Sequence, residues 1–301
     1  MNTGAIDMAL HLETEALNAC ACQPTASAAP MPAQPTAVVQ TLAIAGGRTK
    51  GGAPEELCLV VRPGDVVCVV GPTGSGKSRL LADIECLAQG DTPTGRMISL
   101  NDAPPSDNQR FSAASKLVAQ LCQGMSYALD LPAGAFVDLH ARSRGIADPS
   151  ELTAHVLQAA NDLCGEPFGA SDPVCALSGG QSRALMIADV ALISASPVVL
   201  VDELENAGID RRRALEVLVQ GGKIVFVATH DPLLMLMGHR RLVMTDGAVA
   251  QVLERTPQEE ALLRELEVYD RALDALREGL RHGRCNCDGA QRFPWGGESR
   301  D

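Results

Sequence analysis

With 301 residues, 46% of them apolar, the chain has material for one sizeable folded domain with appendages. Its 37 acidic against 25 basic side chains give a formal net charge of −12, which argues against a broad nucleic-acid-binding surface and against docking on anionic lipid. No apolar run approaches the roughly 20 residues of a spanning helix, so any membrane role requires a separate subunit.

The first segment carries Asp7, Glu13 and Glu15 and no early Lys or Arg, which fits neither a secretory signal nor a transit peptide. The expected location is the cytoplasm, at most peripheral to the cell membrane through a partner. Residues 23–37, QPTASAAPMPAQPTA, are uncharged and rich in Pro and Ala, so residues 1–37 read as a flexible segment ending in a linker. Short β-type runs follow from residue 38, chiefly 57–61 and 66–70, joined by the turn Arg62-Pro63-Gly64-Asp65. Further strands are expected at 117–119, 198–201 and 224–228, with helical patterns between them such as 178–192. This alternation implies an α/β body whose largely parallel sheet is covered on both faces. Residues 242–253 read as a closing hairpin around Asp246-Gly247. Over 255–283, Leu262, Leu266, Val268 or Tyr269, Leu273, Leu276 and Leu280 line one face of an amphipathic helix, followed by a flexible tail at 284–301. That helix either packs on its own domain or serves a coiled-coil or partner contact.

Ten cysteines are many for such a chain, but Cys58 and Cys68 lie in apolar runs, where a reduced thiol behaves as a small hydrophobe. Two CxC pairs, Cys20 with Cys22 and Cys285 with Cys287, could together supply four thiolates to zinc or an iron–sulfur centre if the termini met. Neither has the CxxC spacing of common structural zinc sites, and two incidental pairs are the simpler reading.

Chemistry concentrates after the strand at 66–70. Gly71-Pro72-Thr73-Gly74-Ser75-Gly76-Lys77-Ser78 fits GxxxxGK(S/T) at every fixed position, between a Val-rich strand and a helical pattern. Its glycines let backbone N–H groups wrap a polyphosphate, and the following helix turns its positive end to the same charge. Lys77 is suited to neutralise the β- and γ-phosphates and Ser78 to offer its hydroxyl to Mg²⁺. Downstream, the apolar run 198–201 ends in two carboxylates. Successive strand residues point to opposite sides, so the two acids take different tasks: Asp202 orients hydrated Mg²⁺, and Glu203 polarises the attacking water.

Many nucleoside triphosphatases share those two features. Leu177-Ser178-Gly179-Gly180-Gln181, however, resembles the LSGGQ signature of ATP-binding cassette (ABC) ATPases. Ser178, Gly179 and Gly180 open a second helix as an anion site, for which a single chain has no obvious need. The resemblance, covering about residues 38–254, implies an explanation: the signature of one subunit, with Gln181, covers the γ-phosphate held by the loop of the other. It implies a P-loop core with a mostly parallel sheet, a small antiparallel β subdomain and a helical subdomain at about 121–177. It further implies that Gln120, at the end of the expected strand, links Mg²⁺ and water to the helical subdomain, with Gln123 as a competing choice. His230, in VATHD, resembles the switch histidine that contacts the γ-phosphate, and Asp210 matches the final aspartate of the loop after the paired acids. Two departures stand out. Residues 38–70 contain no Phe, Tyr or Trp to stack on adenine, and Leu204-Glu205-Asn206-Ala207-Gly208-Ile209-Asp210 replaces the family's usual Pro and Ser-Ala-Leu-Asp-like segment. The implied activity is hydrolysis of MgATP across a homodimer or paired subunits. The implied role is the nucleotide-binding subunit of a transporter working with membrane permease subunits. The alternative, motivated by the departures and the CxC ends, is a soluble ATPase that remodels a partner complex, such as a metalloenzyme.

Overall fold

The computed structural model describes residues 38–112, 116–122, 125–204 and 208–283. Both CxC pairs, Gln123, residues 205–207 and the expected flexible segments 1–37 and 284–301 lie outside them.

A six-stranded sheet runs in the order β5 (Val118–Leu121), β6 (Val198–Asp202), β7 (Ile224–Ala228), β3 (Val66–Val70), β8 (Arg240–Thr245) and β9 (Ala248–Glu254). The first five strands are parallel, and β9 closes the edge antiparallel to β8. The turn between these last two has positive φ at both Asp246 and Gly247, 50° and 85°, as a tight two-residue hairpin requires. A separate antiparallel sheet has the order β2 (Cys58–Val61), β1 (Leu42–Ala45) and β4 (Met97–Leu100).

Alternation along the strands divides the core in two. Val67, Val69, Val198, Leu200, Ile224 and Phe226 face a cluster shared with the small sheet and with helix α1 (Lys77–Glu85). Their neighbours Val66, Val199, Val201, Val225 and Val227 face the opposite cluster, built on helices. These helices are α3 (Ala133–Ser143), α4 (Ser150–Leu163), α5 (Gly179–Leu192) and α6 (Arg211–Gln220), while the short α2 (Asp107–Phe111) precedes β5. Because β3 and β7 are buried on both faces, they read in the sequence as unbroken apolar runs. Two helices follow the last central strands: α7 (Pro232–Met237) and α8 (Pro257–Arg281). The latter seats Leu263 and Leu266 on Leu233, Leu236 and Met237.

One boundary differs from expectation. The strand expected to end at Ala119 continues to Leu121, so Gln120 lies within β5, paired in register with Leu200. A half-buried polar residue is tolerated there because the ladder to β6 holds the backbone extended, and no local signal in the sequence marks this.

Candidate functional site

Parallel strands end on the same side, and the carboxyl ends of β6, β7 and β3 are neighbours in the sheet. That edge gathers the loop 71–78 after β3, the acids Asp202 and Glu203 at the end of β6, and His230 two residues beyond β7. Gln120 lies one strand further along, inside β5.

The loop is closely fitted. A Cβ on Gly71, where φ is 148°, would lie 2.6 Å from the carbonyl oxygen of Met244 and 2.7 Å from Ser75 Oγ. At Gly76, with φ 108°, it would lie 2.8 Å from Gly247 Cα, so neither position accepts a side chain. Gly76 also caps α1 without any side-chain hydrogen bond, so no capping side chain takes the N–H groups at the helix start. Lys77 Nζ folds over the loop and donates to the carbonyls of Gly71 at 2.7 Å and Pro72 at 3.2 Å. Ser75 is buried, and its Oγ has no hydrogen-bond partner among the described residues. Ser78 is exposed at the helix start. A steric cradle, an orphaned hydroxyl, uncapped amides and a cation make a donor set that suits a magnesium-bound polyphosphate.

Support for this loop comes from residues the motif does not contain. Lys50 Nζ donates to the Gly74 carbonyl at 2.6 Å, and Gly247 N donates to the Ser75 carbonyl at 2.9 Å. Behind them Arg96 is fully buried. It pairs through Nε and Nη2 with Glu55 at 2.8 and 3.0 Å, through Nη1 with Asp83 of α1 at 2.9 Å, and donates to the Gly247 carbonyl at 2.8 Å. Sequence reasoning missed this cluster because its members are 13, 41 and 151 residues from Arg96, with no spacing to recognise.

Asp202 and Glu203 are both half-buried. Glu203 has φ 54°, a left-handed backbone that is strained for a side chain of this kind, and its N–H turns back to the Ala228 carbonyl at 3.0 Å. Beside Asp202 stands another residue that the motifs did not flag. Arg183 of α5 is buried, its Nη1 has no partner among the described residues, and burial pulls its guanidinium below the ordinary range, against the opposing pull of Cys122 and Asp202. Burial likewise pushes the Cys122 thiol up, reinforced by Asp202 and Glu85. His230 is exposed, while the following Asp231 caps α7 through the N–H groups of Leu233 and Leu234 at 2.8 and 3.2 Å.

The Leu177–Gln181 pentapeptide is not joined to this edge by its hydrogen bonds. Ser178 caps α5 in a reciprocal box with Gln181, at 3.3 and 2.8 Å, and Gln181 Nε2 donates to the Glu166 carbonyl at 3.1 Å. Ser178 and Gly179 are exposed, and Gly180 is half-buried. Asp210 is exposed as well and caps α6, accepting from Arg213 N at 3.0 Å. A polyphosphate-fitting loop thus opens α1, and a second helix start, with Ser178 and Gly179 exposed, opens α5. No group of His, Cys, Asp and Glu arranged to hold a metal ion occurs among the described residues.

Comparisons with known proteins bear on the family and the fold. A family model described as ABC transporter matches residues 55–206. An uncharacterized ABC transporter ATP-binding protein of Methanocaldococcus jannaschii is 46% identical over 246 residues, covering 81% of this chain and 94% of that relative. The maltose/maltodextrin import ATP-binding protein MalK of Escherichia coli is 28% identical over 66% of this chain and 53% of its own length. The macrolide export ATP-binding/permease protein MacB of Hahella chejuensis is 29% identical, with 30% of its length covered. Among solved structures, cbiO1 of Clostridium perfringens, described as part of the transporter complex cbiONQ, matches with a TM-score of 0.55 at 19% identity, over 81% of this chain and 99% of that one. A dimeric, post-hydrolysis ATP-binding cassette bound to ADP and Pi matches with a TM-score of 0.51 at 24% identity, over 72% and 99%. At these identities the two structures establish likeness of fold.

Proposed function

The chain belongs to the ABC transporter family of ATP-binding proteins and is an ATP hydrolase; on that basis we propose that it is the nucleotide-binding subunit of a membrane transporter, working as a pair of subunits. The relatives reported above are named as transporter components, which favours transport over the remodelling of a soluble complex. Among the described residues no helix is long and apolar enough to cross a membrane, so in this reading the chain acts on permease subunits from the cytoplasmic face.

The observation that carries the reading is the convergence of a polyphosphate-fitting loop and the paired acids on one sheet edge, while the signature pentapeptide opens a different helix, α5, with Ser178 and Gly179 exposed. ATP lies with its phosphates in residues 71–78, where Lys77 exchanges the carbonyls of Gly71 and Pro72 for the β- and γ-phosphates. Ser78 and Asp202 would hold Mg²⁺, with Gln120, or Gln123 beyond the strand, as the further contact; when bound, the ion neutralises charge on the phosphate oxygens. Glu203 takes up the proton of the attacking water, and His230 steadies the γ-phosphate from the adjacent loop. Ser178, Gly179, Gly180 and Gln181 of the second subunit close over that phosphate, and Asp210 lies in the segment that faces the partner. No aromatic residue is available at 38–70, so adenine is held by something other than a ring from that stretch.

The test is Glu203→Gln. It should retain MgATP binding, lose hydrolysis by about 10²–10⁴-fold, and accumulate as an ATP-dependent dimer in size-exclusion chromatography. Normal turnover would remove Glu203 from its role.

A further inference from the structure

The C-terminal helix was left with two possible uses by its sequence pattern, and it contributes none of the residues named at the sheet edge. Its first half is firmly seated: Leu263 and Leu266 pack on α7, Arg241 pairs with Glu259, and Arg212 approaches Glu267 at 3.9 Å. Within this seat is one cluster that joins three separate elements. Arg211, the first residue of α6, donates through Nη1 to Asp231 and through Nη2 to both carboxylate oxygens of Asp270, at 2.6 and 2.7 Å. The three side chains are mostly removed from water, at 16%, 13% and 27% exposure in that order.

Position gives the cluster its meaning. Arg211 directly follows Asp210, and Asp231 directly follows His230. Both carboxylate oxygens of Asp231 are engaged: one takes the guanidinium, and the other takes the N–H groups of Leu233 and Leu234. Its own N–H donates to Thr229 Oγ1 at 3.0 Å. The backbone on either side of His230 is therefore pinned from two directions, one of which leads through Arg211 to α8. A planar guanidinium bridging two carboxylates also fixes direction as well as distance, which a flexible ammonium does not. Asp270 lies on α8, after the last strand of the sheet, so this connection ties the C-terminal helix to the segment that follows β7.

We propose that Arg211 and Asp270 are positioning residues for ATP hydrolysis, through which the C-terminal helix holds the segment carrying His230 in place. The proposal rests on the reading of His230 as the γ-phosphate contact. Seating of α8 then sets how often a bound nucleotide is hydrolysed rather than how tightly it is held.

The experiment uses the full-length chain and measures kcat, MgATP affinity and thermal midpoint for each variant. Asp270→Asn keeps the apolar seat and the Arg241–Glu259 pair but removes the charge that faces Arg211. Its kcat should fall about ten- to a hundredfold with MgATP affinity unchanged, as expected when a reacting geometry loosens by a fraction of an ångström. Asp270→Glu should restore at least half of the loss. Arg211→Lys should resemble Asp270→Asn, and combining the two should add nothing, because both break the same bridge. Glu260→Gln, which breaks an exposed pair with Arg264 on the same helix, should leave kcat unchanged. Wild-type kcat in Asp270→Asn, or a loss matched by equal falls in nucleotide affinity and thermal midpoint, would overturn the inference. Hydrolysis that survives His230→Ala would overturn the underlying reading of His230 and this route with it.

Discussion

Glu203 holds a left-handed backbone at the end of β6, a conformation that costs a residue with a Cβ about 1–3 kcal/mol unless its surroundings impose it. The surroundings here are the N–H contact to the Ala228 carbonyl and the buried Leu204 that follows. It follows that Glu203→Gly should stabilise the fold by about 1 kcal/mol while it abolishes turnover, a trade measurable by denaturant midpoint and phosphate release. Lower stability than wild type would mean that the conformation is not strained. The strand end beside the two adjacent acids was legible from the apolar run before them; the backbone of Glu203 was not, because nothing in a Val-Asp-Glu-Leu string demands positive φ.

Among elements, the phosphate loop is held as one side of a three-way junction. α1 behind it contributes Asp83, Glu55 comes from the segment before β2, and the β8–β9 turn contributes the Gly247 carbonyl, all meeting on Arg96. Arg96→Met would leave two buried carboxylates uncompensated, and removing one partner of a buried ion cluster typically costs about 3–5 kcal/mol. The expected outcome is that loss in chemical denaturation together with weaker MgATP binding; a stability loss with normal binding would separate the junction from the loop. What the sequence disclosed about elements follows burial. β3 and β7 were readable end to end because they are apolar on both faces, and the β8–β9 hairpin because Asp-Gly names its own turn. β4 is four residues of mixed polarity, and β5 contains a half-buried Gln120, so their limits are set by neighbouring strands. The Arg96 junction was invisible for the same reason: it is a product of tertiary assembly.

On the scale of the whole molecule, the proposed shared site requires two copies, the loop of one meeting the signature pentapeptide of the other. In that arrangement Lys77→Ala would remove the cation proposed for the phosphates and Ser178→Arg would block the helix start proposed to cover them; each alone should be nearly inactive. A mixture of the two should recover activity, since a mixed pair contains one site with an intact loop and an intact cover. Statistical exchange and independent sites give roughly a quarter of the wild-type rate in a coupled phosphate-release assay. No recovery on mixing, in a preparation that exchanges subunits, would contradict a shared site. The hairpin turn at Asp246-Gly247 adds a practical corollary. From outside it looks like a spare bend fit to carry an epitope or a fluorescent label, yet Gly247 touches Ser75, Gly76, Lys50 and Arg96. Cargo grafted there would be felt at the nucleotide, whereas Gly145, in the bend between α3 and α4 with open space around it, is the safer point of attachment.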